Sequence, residues 1–216
     1  LVFYAKLLTE LNVGKAEATK QTIIEKAALI FNKNGYQRTS MSTLCAALGL
    51  TKGAIYGNFA DKDELAVEAF RFSVQQITEM MRSQVRPHKD PVERLRAYAR
   101  AFFELYDDIA ANGGCPVLNT AVDSDDAHPL LHREVQQVLT NWESRLIAMV
   151  DAGKESGCIR QDADSGFFAS SFIALIEGGI LMAKTVGDKR HLECAVKRID
   201  NLIDQMLIKR DQKPRE

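Results

Sequence analysis

Little in this sequence points to loops, metals or membranes. Of 216 residues, 13 are Gly and 5 are Pro, too few for a loop-rich all-β chain. The four cysteines, Cys45, Cys115, Cys158 and Cys194, stand far apart. None forms a CxxC pair, and their spacing fits no zinc framework. They read as free thiols of a reducing cytoplasm, with a redox role for Cys115 as the alternative. No apolar run approaches the length of a membrane span. The start, LVFYAKLLTELN, is interrupted by Lys6 and Glu10 and shows no cleavage-type segment. Residues 1–12 are therefore set apart as an N-terminal extension rather than a signal peptide. The four histidines are scattered, no Ser-His-Asp or Cys-His order has a supporting motif, and no Gly-rich phosphate loop is present. An enzyme is not expected, and neither is a cofactor.

What is present is ordinary in amount and uneven in placement. Apolar residues make up 46% and charged residues 26%, enough for a sizeable core. Net charge is −1, so the whole chain does not advertise a polyanion partner. Between Val13 and Lys62, however, seven basic residues oppose three acidic ones, a net of +4. The rest of the chain is correspondingly acidic, which suggests a local anionic partner for the N-terminal quarter.

The chain reads as all-α, with about nine helices. Ile23, Ala27, Ile30 and Phe31 share one face of a first helix that stops at Gly35. A second helix starts at a Thr39 or Ser40 cap and ends at Gly49. A short third runs from Thr51 to about Phe59. Asp61, Asp63 and Glu64 favour the start of a long fourth helix, which reaches about Val85 before RPHKDP breaks it. Pro91 suits the first position of a fifth, reaching about Ala111. A sixth is expected from Cys115 to about Asp123, a seventh over Pro129–Glu155, an eighth over Asp164–Val186 and a ninth over Lys189–Arg210. The tail DQKPRE reads as frayed. Residues 13–61 and 62–216 are the expected domains.

The segment TLCAALGLTKGAIYGNF places Leu44, Cys45 and Leu48 on one face of the second helix, and Ile55 with Phe59 on the third. Those faces can pack together, leaving Thr51, Lys52, Gly53, Tyr56, Gly57 and Asn58 outside. Small residues allow close backbone approach to a surface, and hydroxyls, Lys52 and a helix N-terminus can bind phosphate. This is a helix-turn-helix with a reading helix at about Lys52–Asn58. A helical hairpin with no DNA role has the same pattern.

GYQRTSMSTLCAALGLTKGAIYGNFADKDEL, residues 35–65, closely resembles the DNA-binding signature of TetR-family transcriptional regulators. Cys45 and Leu48 replace the alanines usual there, and Asn58 replaces a frequent His or Tyr. The resemblance implies a three-helix DNA-binding domain and a C-terminal helical domain that binds an effector and dimerises. It implies that Thr39 and Ser40 lie near phosphates. Thr51, Lys52 and Gly53 would form the N-terminus of the reading helix. Tyr56 would donate to phosphate, Asn58 would retain a donor, and Lys62 would bind phosphate and link DNA to the body. It further implies a homodimer on a near-palindromic operator, a cytoplasmic location, and a repressor released by an unknown small molecule.

The family pairs through its last two long helices. Phe167, Ser171, Ala174, Gly178, Met182 and Leu202 are the expected dimer contacts here, with burial inside one subunit as the alternative. Phe70, Ile77, Met81, Tyr98, Phe102, Tyr106 and Trp142 recur at helical spacing as pocket lining or plain core. GGCPVLNTAVDSDDAHP resembles the sixth helix of one TetR subgroup, and Asn119, Thr120 and Glu177 are the polar groups that would orient a ligand. His128 and His132, with Asp125, Asp126 and Glu134 nearby, have metal-ligand spacing. The same residues also suit an acidic helix start with solvated imidazoles, and no metal is expected.

Overall fold

A computed structural model describes residues 14–125 and 128–207. The described residues form ten helices: α1 Lys15–Asn34, α2 Met41–Leu48, α3 Lys52–Tyr56, α4 Lys62–Val85, α5 Pro91–Glu104, α6 Tyr106–Ala111, α7 Pro116–Ser124, α8 Pro129–Glu155, α9 Ser165–Val186 and α10 Arg190–Met206. The only extended pairing among them is an isolated bridge between Ile159 and Leu207. The proposed extension at 1–12, the tail beyond Leu207 and Asp126 lie outside the described residues.

Local chemistry explains most boundaries. The side chains of Ser40, Thr51, Asp61, Asp90 and Asp164 each accept a backbone N–H in the first turn of α2, α3, α4, α5 and α9, which satisfies donors that a helix leaves open. Pro91 and Pro129 occupy first-turn positions of α5 and α8. Gly49 ends α2 in the left-handed region at φ 68°, a conformation that favours glycine. The expected fifth helix is broken at Leu105, where ψ is 4°, giving α5 and α6. The backbone bonds Leu105 N–H to Ala101 O and Ile109 N–H to Leu105 O bridge the break. Neither Gly nor Pro marks it, so residue-by-residue signals missed it.

Two apolar cores meet on α4. Ile23, Ala27, Leu44, Leu48, Ile55 and Phe59 form the smaller, N-terminal core together with Leu65 and Ala69 of α4. Ala66 and Phe70, next to those two in sequence, belong to the larger core of α4–α10. Neighbouring residues on a helix point about 100° apart, so the first turns of α4 can serve both cores.

Helix α9 lies within the larger core. By length and composition it could cross a membrane, with mean hydropathy 1.7, so the expectation that no run reaches that level was wrong. Its buried stripe Phe168, Phe172, Ile176 and Ile180 accounts for this as packing inside the helical body. Phe167, Leu181, Met182 and Val186 add an exposed apolar face to the same helix.

Gly153 of α8 is required by packing. A Cβ there would lie 2.5 Å from Ile159 Cδ1 and 2.8 Å from Cγ1, and Ile159 is fully buried. Gly153→Ala should destabilise the chain by about 1–2 kcal/mol in urea unfolding, because overpacking outweighs the helix-propensity gain. Adding Ile159→Val, which removes the nearest methyl, should recover part of that loss.

Candidate functional site

The start of α3 is an uncovered polar surface of the N-terminal domain. Thr51, Lys52, Gly53 and Ala54 are exposed at the start of α3, and Thr51 Oγ1 accepts the Ala54 N–H at 3.2 Å. A Cβ on Gly53 would meet only Thr51 Oγ1, so this turn can approach a surface closely. Tyr56 is 47% exposed. The exposed Ser40 hydroxyl caps α2 and lies 2.7 Å and 2.9 Å from those of Ser42 and Thr43. This hydroxyl cluster extends the surface, and Ser42 and Thr43 were not singled out in the sequence. Helix α3 is shorter than expected, five residues, with Gly57 and Asn58 continuing it as a turn.

Three expected contacts take different roles. Thr39 is 0% exposed and donates its hydroxyl to Gly35 O at 2.6 Å. It braces the turn after α1 from inside, which corrects the expectation of a phosphate contact. Asn58 Nδ2 donates to Ala54 O at 2.9 Å, leaving one N–H for another acceptor. The Lys62 ammonium donates to Tyr36 O at 2.8 Å and lies 3.8 Å from the Tyr36 ring centroid, so its first partner is internal.

Tyr36 is the centre of a polar junction between the two cores. Its hydroxyl donates to Asp63 Oδ1 of α4, and its backbone N–H donates to Asp123 Oδ2 of α7 at 2.5 Å. Its ring meets the His128 imidazole edge-on at 4.4 Å. His128 is buried and its Nδ1 accepts the Leu131 N–H at 3.1 Å. That assigns the ring proton to Nε2, which faces Asp63 Oδ1 at 3.4 Å. The Tyr36 hydrogen bond holds the Asp63 carboxyl below its ordinary range, and burial with the adjacent carboxylate pushes the Tyr36 phenol up. Neither His128 nor Asp123 was assigned this role from sequence. Glu134, grouped earlier with the histidines, forms a bidentate pair with Arg71 at 2.6 and 2.9 Å.

A second seam ties α1 to the body. Asn32 Nδ2 donates to Asn112 O at 2.7 Å and Gly114 O at 3.1 Å. Asn119 Nδ2 lies 2.9 Å from both Asn32 Oδ1 and Gly113 O, and Lys184 donates to Gly113 O as well. Asn119, Thr120 and Phe70 line a space of about 30 Å³, which is water-sized. These three were expected in a ligand pocket. The structure places them in the joint between α1, α4 and α7 instead.

The large cavity lies elsewhere, between the C-terminal half of α4, the start of α5 and the middle of α8. Its volume is about 700 Å³, in the range of ligand sites. Ile77, Met81, Tyr98 and Trp142 line it, as their spacing suggested, and Arg82, Arg86, Arg94 and Arg145 do so without having been singled out. Phe102 and Glu177 sit behind Tyr98 and Trp142, around a void of about 10 Å³. Tyr106, the first residue of α6, is buried outside both linings, with the Lys189 ammonium 5.6 Å from its ring centroid.

Glu177 Oε2 is sealed from solvent without a partner, while Oε1 accepts the Cys115 thiol at 3.1 Å. Burial pushes the Glu177 carboxyl up to about 7. Burial and this carboxylate push the Cys115 thiol well up, which makes it a poor nucleophile and removes the basis for a redox role. Glu177 binds its proton more tightly folded than unfolded. Its contribution is therefore full below the ordinary value of 4.5 and is lost as pH rises towards 7. Glu177→Gln should raise the thermal midpoint by several degrees at pH 8 and change it little at pH 5, measured by circular dichroism.

Comparison with known proteins places this architecture. Residues 23–69 match the model of bacterial regulatory proteins of the tetR family. Residues 91–199 match the tetracyclin repressor-like, C-terminal domain. A TetR transcriptional regulator from Chloroflexus aurantiacus J-10-FL is 33% identical and superimposes with a TM-score of 0.85, over 89% of this chain and 98% of that one. A TetR-family regulator from Cytophaga hutchinsonii is 29% identical with a TM-score of 0.83, over 93% and 100%. The HTH-type transcriptional repressor DhaR of Mycobacterium sp. (strain GP1) is 24% identical, over 81% of this chain and 86% of its own. With a helix-turn-helix domain, a separate helical body and relatives matched over nearly their full lengths, this chain belongs to the TetR family of DNA-binding transcriptional regulators.

Proposed function

We propose that the protein is a homodimeric cytoplasmic repressor whose grip on a near-palindromic operator is released by a small molecule. The observation that carries the DNA side is the uncovered start of α3. A hydroxyl-capped helix end, Lys52, Gly53 and a half-exposed Tyr56 stand together, and among the described residues neither Lys52 nor Tyr56 has a hydrogen-bond or ion-pair partner. Lys52, Thr51 and Ser40 contact phosphates, Tyr56 donates its hydroxyl to one, and Gly53 lets the backbone close on the groove. Asn58 contributes its remaining N–H. Lys62 acts at one remove, by holding Tyr36 and thereby the angle of α4.

The exposed apolar face of α9 supports the dimer. Phe167 is 68% exposed, and Met182 is open as well. Ser171, Ala174 and Gly178 lie between them in sequence at three- and four-residue steps, and nothing lies within 4 Å of a Cβ built on Gly178. Leu202 of α10 is partly buried against the larger core. A stripe of this kind buries well against a second copy of itself. Two reading helices then reach successive major grooves, and the specificity of one short helix is doubled.

The cavity beside α4 supports effector release, since α4 also carries Lys62 and Asp63 at the junction with the DNA-binding domain. A ligand favouring one position of α4 would shift the population between DNA-binding and released forms.

Fluorescence anisotropy with DNA from upstream of the protein's own gene, across a salt series and against a random duplex, tests this reading. Tight, selective, salt-dependent binding is expected. Tyr56→Phe should weaken it by about tenfold, and Lys52→Ala should reduce the salt slope by about one. Equal affinity for both duplexes, or unchanged binding by both variants, would overturn the placement. Phe167→Glu combined with Met182→Glu should yield monomers in sedimentation velocity and lose operator binding.

A further inference from the structure

From the large cavity we infer that the effector is an amphipathic anion, with a carboxylate- or phosphate-type head on an extended apolar body. The assignment rests on the effector reading above and names the chemistry of that same cavity. The cavity wall contains four arginines, Arg82, Arg86, Arg94 and Arg145, and no aspartate or glutamate. Arg82 is weakly occupied, with Glu79 at 3.4 Å and both side chains exposed. Among the described residues, Arg86, Arg94 and Arg145 make no ion pair, and all three are exposed. Elsewhere in the body Arg71 pairs with Glu134, and Arg96 with Asp200 and Asp204, while Arg133 and Arg198 also lack an ion pair among the described residues.

The clustering matters because like charges gathered at one opening repel one another unless an anion joins them. Guanidinium groups also fit carboxylate and phosphate oxygens two at a time. Behind this rim the wall turns apolar, through Ile77, Met81, Val85 and Trp142. A head group alone would leave that surface wet, and an uncharged apolar body would leave the arginines unanswered. A molecule carrying both satisfies both.

Trp142 is the only tryptophan and lines the cavity, so its fluorescence reports occupancy without DNA. The probes are dodecanoate, dodecyl phosphate, dodecanol and dodecyltrimethylammonium, each below its micelle concentration. Dodecanoate or dodecyl phosphate should quench Trp142 with affinity at least about tenfold above dodecanol, and the cation should bind most weakly. Whichever anion binds more tightly identifies the head. Arg94→Gln and Arg145→Gln should each cost about tenfold for the anions and leave dodecanol unchanged, while Arg94→Lys should keep most of the affinity. These side chains are exposed and unpaired, so the variants keep the fold, which circular dichroism verifies.

Equal binding of dodecanol, tighter binding of the cation, no quenching by any probe, or Arg→Gln variants with unchanged affinity would each overturn the assignment. DNA release is read separately by anisotropy. An anion that binds at Trp142 yet leaves the operator complex intact would support the ligand class and sink the release mechanism.

Discussion

Asp63 occupies the point where two independently packed cores have to agree on one geometry. Its carboxylate accepts the Tyr36 hydroxyl from the turn after α1 and faces the buried His128 at the head of α8. Lys62, one residue earlier, holds the Tyr36 carbonyl and lies over its ring. Asp123 takes the Tyr36 backbone N–H from a third direction. Polar groups removed from water are costly unless paired, and here the buried His128 and the half-buried Tyr36, Lys62, Asp63 and Asp123 face one another across the domain junction. The orientation of α2 and α3 relative to the body is thus set by directional bonds. Apolar contact alone would tolerate sliding.

This arrangement places α4 in two roles. Its first turns carry Leu65 and Ala69 into the N-terminal core and Ala66 and Phe70 into the larger one. Its last turns carry Ile77 and Met81 into the wall of the cavity. The helix touches the reading domain at one end and the open volume at the other, as α8 does from His128 beside Tyr36 to Trp142 in the cavity wall. Apart from it, the N-terminal domain meets the body through Asn32 and the turn at Asn112–Gly114, and through the Tyr36 junction.

How much of this was legible in sequence depended on the range of the signal. Helix caps were read well, because Thr51, Asp61 and Pro91 act on their own first turns. The core faces of α1–α3 followed from spacing alone, and Gly49 marked the turn. Thr39 shows the limit: a hydroxyl beside a cap looks the same whether it faces solvent or, as here, bonds Gly35 O inside the turn. The junction was invisible, because Tyr36, Asp123 and His128 meet only after the chain has folded, 87 and 92 positions apart from Tyr36 in sequence. The cavity was half legible. Its apolar residues sit at helical spacing, as any core does, but the arginines matter only because α4, α5 and α8 bring them to one opening with no acid between them. Asn119 and Thr120 were misplaced for the opposite reason: polar residues beside a helix start suggest a ligand, yet the Asn119 amide bonds Asn32 of α1 and Thr120 lines the same joint.

The Arg71–Glu134 pair joins α4 to α8 partway along α4, and its position has a mechanical meaning. At 1.5 Å per residue, about 14 Å of helix separate Arg71 from Lys62, and about 15 Å separate it from Met81. A rigid α4 tilting about that clamp is a see-saw with nearly equal arms. It would reverse the direction of a displacement at the cavity and pass it on at about its original size. Any magnification has to arise beyond Lys62, in the distance from the Tyr36 junction to the tip of α3.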